Sequence, residues 1–207
     1  MRDAGQQPIQ MRLEELKPTQ VAVGYDEVEF KRQQWRARTD PEKARLISEH
    51  PFPAVRGPDG KCFMIDGHHL GLALLKEGVD VVLIKLVEDY SHMDDKAFWR
   101  AMDRNGFRYL SDVPRGELGN APETLQDLID DPYRSLVARL RRNCHCPKYA
   151  APFAEFRWAD YLRRHIQIEA LKTSPDGALK IAKKLIWEGI CSLVSSECRC
   201  LGPVESS

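Results

Sequence analysis

The residues best suited to chemistry in this chain are Asp66, Gly67, His68 and His69. They stand between a short apolar run, Phe63-Met64-Ile65, and an apolar-patterned stretch, Leu70-Gly71-Leu72-Ala73-Leu74-Leu75. A strand that turns straight into a helix exposes the side chains at its end. It also aims the helix's first N–H groups at whatever lies above. A carboxylate at such a corner can act as a base or position a metal, and imidazoles can bind metal or phosphate. The alternative is structural: Asp66 caps the helix, Gly67 makes the turn and a histidine packs beside it. Adjacent histidines at a helix start do not readily face one point, so the pair suits a division between the two roles.

A second group is Glu27, Glu29, Lys31 and Arg32, on the charged stretch Asp26 to Arg36. Acids two apart beside two cations can supply a general base and phosphate ligands. Glu27 and Lys31 are also an ordinary i,i+4 pair of a solvated helix, and spacing alone favours that reading. A third group is Cys144-His145-Cys146 with Cys198-Arg199-Cys200. Zinc knuckles usually space their cysteines C-x₂₋₄-C, so these read as reduced thiols and no metal site is expected. The basic run Arg139-Leu140-Arg141-Arg142 and the pair Arg163-Arg164, near Trp158 and Tyr161, suit nucleic acid or the solvated faces of helices. No Walker loop, GxGxxG or nucleophile elbow is present.

The elements that must position these residues follow from the pattern. Gln10 to Leu16 reads as a strand ended by Pro18. Gly24 opens a helix over 26–36, and Thr39-Asp40-Pro41-Glu42 starts another that ends near Pro51. Gly57-Pro58-Asp59-Gly60 between two short apolar runs is the turn of a β-hairpin. A helix follows from His68 to Lys76 with Gly78 as its stop. Val79 to Val87, rich in β-branched residues, is a strand. Helices are expected over 94–104, 122–129, 132–142, 153–168 and 174–188. The fold class is therefore α/β in the α+β sense, a small mixed-sheet unit with a helical C-terminal half. The expected divisions are an α/β core over 1–92, a helical extension over 93–190 and a loose tail over 191–207.

At 207 residues the chain is long enough for a sizeable core, and 31 Lys and Arg balance 31 Asp and Glu. That balance creates no global field to recruit DNA or an anionic membrane. No apolar run approaches the ~20 residues that span a bilayer, and the first residues lack the apolar core of a signal peptide. The expectation is a cytoplasmic protein with reduced cysteines.

Several stretches are distinctive in combination. They are Val23-Gly24-Tyr25-Asp26-Glu27-Val28-Glu29-Phe30-Lys31-Arg32, the Gly57 to Gly60 turn, Ile65 to His69, Asp131-Pro132-Tyr133-Arg134-Ser135-Leu136 and Phe153 to Asp160. Together they resemble the ParB-like family labelled as nucleases, in the ParB/sulfiredoxin superfamily, over about residues 13 to 168. The resemblance implies a small α/β domain with a helical addition and a nucleotide-phosphate site. It implies phosphoryl transfer or phosphodiester hydrolysis; the cofactor is left open, with a nucleotide and Mg²⁺ as the candidate. By the same resemblance, Asp66, His68 and His69 are the catalytic candidates, with Glu29 or Glu27 as a second acid. Gly67, Lys31 and Arg32 are the phosphate-binding candidates. Leu70 stands where the superfamily's kinases carry a cation, which is why the charge is sought on the Asp26–Arg36 helix. The partition proteins' Gly-Glu-Arg-Arg box and sulfiredoxin's cysteine are absent, and no helix-turn-helix is evident. The expected partner is a phosphate-bearing small molecule or nucleotide, or else nucleic acid. The alternative function is a non-enzymatic module that binds one of these.

Overall fold

In a computed structural model of the protein, residues 7–109, 122–144 and 154–193 are described, with backbone alone at 144 and 186–193. The strands are β1 Ile9–Arg12, β2 Lys17–Pro18, β3 Ala22–Val23, β4 Phe52–Arg56, β5 Cys62–Met64, β6 Val81–Asp89 and β7 Ile129–Asp130. The helices are α1 Tyr25–Arg36, α2 Asp40–Glu49, α3 His68–Lys76, α4 Asp95–Arg104, α5 Pro132–Cys144, α6 Ala154–His165, α7 Ile168–Thr173 and α8 Pro175–Leu193. Residue contacts divide the chain into two compact units, 1–130 and 131–207. The boundary expected at 92/93 falls within the first of them.

The first unit is built on a five-stranded mixed sheet in the order β1-β6-β4-β5-β2. β1 and β2 follow one another in sequence yet occupy opposite edges. Arg12 and Lys17 are joined by a 3₁₀ turn at Leu13–Glu15 and by Leu16. That link spans at most ~18 Å even when fully extended, whereas the outer strands of a flat sheet of this order lie ~19 Å apart. The sheet must therefore curl, and Leu13 and Leu16, both 0% exposed, fill the inside of the bend. The continuous strand expected over 10–16 is replaced by this turn, because the chain has to cross from one edge to the other. Pro18 sits in the edge strand β2, paired in parallel with β5, where its missing N–H disrupts no ladder.

The hairpin turn lies where Pro58-Asp59-Gly60 placed it. Asp59 and Gly60 take φ of 58° and 72°, and the Gly57 N–H donates to the Lys61 carbonyl at 2.8 Å. Alternation along β4 and β5 separates two packing layers. Ala54, Cys62 and Met64 join Leu72, Leu74, Val28 and Trp35 on one face, while Val55 and Phe63 meet Phe98 and Met102 of α4 on the other. Thr39 and Glu42 form a capping box that starts α2. Residues 122–129 are not the expected helix. Thr124 and Asp127 cap a 3₁₀ turn at Leu125–Asp127, and β7 then pairs with β3.

The second unit is helical throughout its described residues. Tyr133, Leu136 and Leu140 of α5 pack with Ala159 and Leu162 of α6 and with Ala178, Leu179 and Ala182 of α8. The stretch expected as one helix over 153–168 is two, α6 and α7, with Gln167 as the cap between them. The tail expected over 191–207 lies outside the described residues beyond 193.

Candidate functional site

The corner between β5 and α3 is set by Gly67. It has φ of +88°, and a Cβ there would lie 2.8 Å from Cδ1 of Phe52, so the turn is confined to glycine. Asp66 is exposed, and its Oδ1 accepts the Gly67 N–H at 2.7 Å. His68 is 1% exposed. Its Nε2 accepts the backbone N–H of Thr19 at 3.1 Å, and the Thr19 hydroxyl donates to the Met64 carbonyl at 2.7 Å. His69, half-buried, accepts the Gly24 N–H on its Nε2 at 3.0 Å. Because each Nε2 accepts, hydrogen-bond geometry assigns the proton of each neutral ring to Nδ1. The two imidazoles thus fasten the 19–24 segment onto the start of α3.

This fastening brings two helix starts together. Gly24 caps α1 and Gly67 caps α3, and neither cap residue has a side chain to offer. The helices run in the same direction. Gly24 meets His69 at their starts, and Arg32 and Arg36 of α1 meet Glu77 just beyond the end of α3. The Tyr25 N–H at the start of α1 donates to Oδ1 of Asp130, and the Tyr25 hydroxyl donates to the Leu128 carbonyl. The Lys76 ammonium stands 4.7 Å from the Tyr25 ring.

The charged group on α1 divides between the two ends. The Lys31 ammonium reaches back to Glu27, at 3.3 Å, in the first turn of α1. Arg32 turns the other way. Its Nε donates to Oε1 of Glu77 at 2.7 Å and its NH1 to Oε2 of Glu29 at 2.8 Å. Glu77 lies about 12 Å along α3 from His69, so Arg32 and Glu29 stand near the far end from the corner. Hydrogen bonds from Arg36 and Arg32 hold the Glu77 carboxyl down at about 2 against its partial burial. A carboxyl lowered on folding contributes stability above its ordinary value, near 4.3, and that contribution disappears as pH falls toward 2. Melting temperatures of the wild type and Glu77→Gln should therefore differ at pH 6, begin to approach one another below about pH 4 and meet near pH 2. A constant difference from pH 6 to pH 3 would show that the network adds nothing through charge.

The structure thus unites Asp66, Gly67, His68 and His69 with Thr19 and Gly24, neither of which spacing singled out. Only Gly24's place at the head of a helix hinted at it. Lys76 was also missed, although it lies two turns below His69 on the same helical face. The side chains of Cys144, Cys146, Cys198 and Cys200 lie outside the described residues. Among the described residues no three His, Cys, Asp or Glu side chains gather as metal ligands. A cavity of about 650 Å³ opens away from the corner, between Met11, Glu15, Lys17, Lys61 and Thr124.

Among the described residues no helix is long and apolar enough to cross a membrane. No curated protein matches the chain. A solved structure, that of protein Atu1540 from Agrobacterium tumefaciens, is 41% identical. The match covers 87% of this chain and 92% of that one, with a TM-score of 0.78. Residues 9–164 match the family described as "Putative ParB-like nuclease", a span that includes the corner, α1, α3, α5 and all but the last residue of α6. The chain belongs to this ParB-like family.

Proposed function

We propose that the paired starts of α1 and α3 hold the phosphate of a nucleotide or phosphodiester, and that Asp66 acts on it in phosphoryl transfer or phosphodiester hydrolysis. The observation that carries the reading is the meeting of two glycine-capped helix starts, of which α3 has no side-chain cap and α1 has only the Tyr25 N–H taken, by Asp130. The first N–H groups of a helix have no partner within it, and the helix dipole adds positive potential at the same end. Two such ends side by side favour an anion more than either alone. Asp66, exposed beside them, suits a base for an attacking hydroxyl or water. It equally suits sharing a Mg²⁺ that a nucleotide brings.

In this reading His68 and His69 act by position, holding Thr19 and Gly24 through their Nε2 atoms. Lys31 is the α1 cation that serves the phosphate, because its ammonium is carried to the first turn of α1. Glu29 and Arg32 keep α1 and the end of α3 together. Family membership adds a nucleic-acid phosphodiester to the candidate substrates. The runner-up is a binding module without turnover, and the use of both imidazole Nε2 atoms as structural acceptors favours it. A thermal-shift screen of nucleotides, with and without Mg²⁺, tests binding, since only a ligand of the folded state raises the melting temperature by mass action. Lys31→Met should weaken the ligand found by about tenfold, the loss of one charge-assisted bond, while Arg32→Met should spare binding. Unchanged affinity in Lys31→Met would remove that residue from the site.

A further inference from the structure

The first unit holds a second cavity, of about 210 Å³, between β2, the β4–β5 turn and the start of α4. Pro18, Pro58, Pro122, Phe63, Phe98 and Trp99 give it apolar walls. Phe63 and Phe98 are buried. The half-buried Trp99 meets Phe63 edge-on at 5.3 Å and lies 4.8 Å from Phe98. The core thus fixes these rings, and what they present to the cavity is a rigid apolar wall. About 150 Å³ is enough to take up benzene, so the space admits one aromatic ring with a short side chain.

Among the described residues, Lys17, Lys61, Asp95 and Glu123 bring charge to the same cavity. Three of them already have partners. The Lys17 ammonium donates to the Glu123 carbonyl at 2.9 Å and stands 3.4 Å from its carboxylate. Lys61 pairs with Asp59 at 3.5 Å and is 56% exposed, so its stem lines the cavity while its ammonium stays in water. Arg108, which covers the Trp99 ring at 4.7 Å, is held by both carboxylate oxygens of Asp103. Asp95 differs from these. Exposed in the first turn of α4, it makes no hydrogen bond or ion pair with another described residue. It stands four residues before Trp99, so carboxylate and indole share one face of the helix. A carboxylate without a partner beside aromatic walls is suited to an ammonium that carries an apolar group. We propose that this cavity binds a small organic ammonium ion of arylalkylamine type, with its charge on Asp95 and its ring against Trp99 and the prolines. An organic anion fits less well, since it would have to draw Lys17 from Glu123 and would meet Asp95 unshielded. Residues 1–130 also hold 18 Lys and Arg against 23 Asp and Glu, a surplus that attracts cations from solution. None of the corner's residues lines this cavity, so the inference stands apart from the reading of α1 and α3.

The test follows backbone amide shifts of the ¹⁵N-labelled full chain at about 50 mM salt, where exposed charges are little screened. The probe is 2-phenylethylamine, with 3-phenylpropanoate and 2-phenylethanol as its anionic and neutral counterparts. The amine should move the amides of Phe63, Asp95, Lys96 and Trp99 to saturation, with a dissociation constant on the order of 1 mM or tighter. Those of His68, His69 and Leu70 should stay in place, which separates this site from the corner. The anion and the alcohol should each bind at least about fivefold more weakly than the amine. Asp95→Asn, at an exposed position, should keep the fold and bring the amine down to the affinity of the alcohol. Trp99→Leu keeps an apolar wall without the aromatic face and should narrow the amine's lead over the alcohol by about twofold or more. No saturable shift up to about 10 mM amine, or an anion or alcohol that binds as tightly, would overturn the proposal. So would an Asp95→Asn protein that binds the amine as the wild type does, or shifts confined to Glu14 and Glu15 at the 650 Å³ cavity.

Discussion

Replacing His68 by Ala should lower the stability of the protein by about 3 kcal/mol, a sum of lost ring packing and an orphaned backbone amide. The ring is 1% exposed, and its Nε2 is the acceptor for the Thr19 N–H. Truncation leaves a cavity and takes the Thr19 N–H's acceptor away in the core. For a chain of this size the change corresponds to a fall in melting temperature of about 6–12 °C. His68→Gln offers an amide oxygen in place of Nε2 and should recover part of the loss. Thermal denaturation followed by circular dichroism measures both variants. A His68→Ala protein that melts with the wild type would mean that the ring does not fasten residues 19–24.

The second large effect concerns Asp66, where stability and chemistry should separate. The residue is exposed, and the hydrogen bond its Oδ1 accepts from the Gly67 N–H can equally be accepted by an asparagine oxygen. Asp66→Asn should therefore melt within about a degree or two of the wild type. It removes the charge a base or a Mg²⁺ ligand requires, so turnover of a nucleotide or phosphodiester should fall by at least about 100-fold. The measurement is the rate of phosphate or nucleotide release at matched ligand occupancy. Equal turnover by the two proteins would remove Asp66 from the chemistry. Tight ligand binding without turnover in the wild type would establish the binding-module alternative.

What could be read directly from the sequence was local. The Pro58-Asp59-Gly60 turn, the Thr39–Glu42 capping box, the β-branched strand β6 and the strand-to-helix corner each depend on chemistry within a few residues. The corner's location was legible for that reason, and so was the resemblance that family membership bears out. The use made of its histidines was not. Which group an imidazole nitrogen faces is decided by Thr19 and Gly24, 49 and 45 residues away in sequence. The same separation hides Glu77 from Arg32, at 45 residues. The strands β2, β3 and β7 have two residues each, too few for any period to appear. The curl of the sheet depends on which edges β1 and β2 occupy, and no local pattern specifies that. In α4, Phe98, Ala101 and Met102 showed an apolar face, but only the fold shows that this face covers Val55 and Phe63.

The central claim is that phosphate sits where α1 and α3 begin, and backbone amide shifts in the ¹⁵N-labelled protein test it most directly. Titration with a nucleotide that raises the melting temperature, in the presence of Mg²⁺, should move the amides of His68, His69 and Leu70 most. That of Asp26 should move with them, because backbone N–H groups at the two helix starts would be the donors, while the Gly24 N–H stays on His69. The contrary result is equally plain. If those amides stay in place while Lys17, Lys61 and Cys62 shift around the 650 Å³ cavity, the phosphate binds elsewhere and the corner is a structural joint.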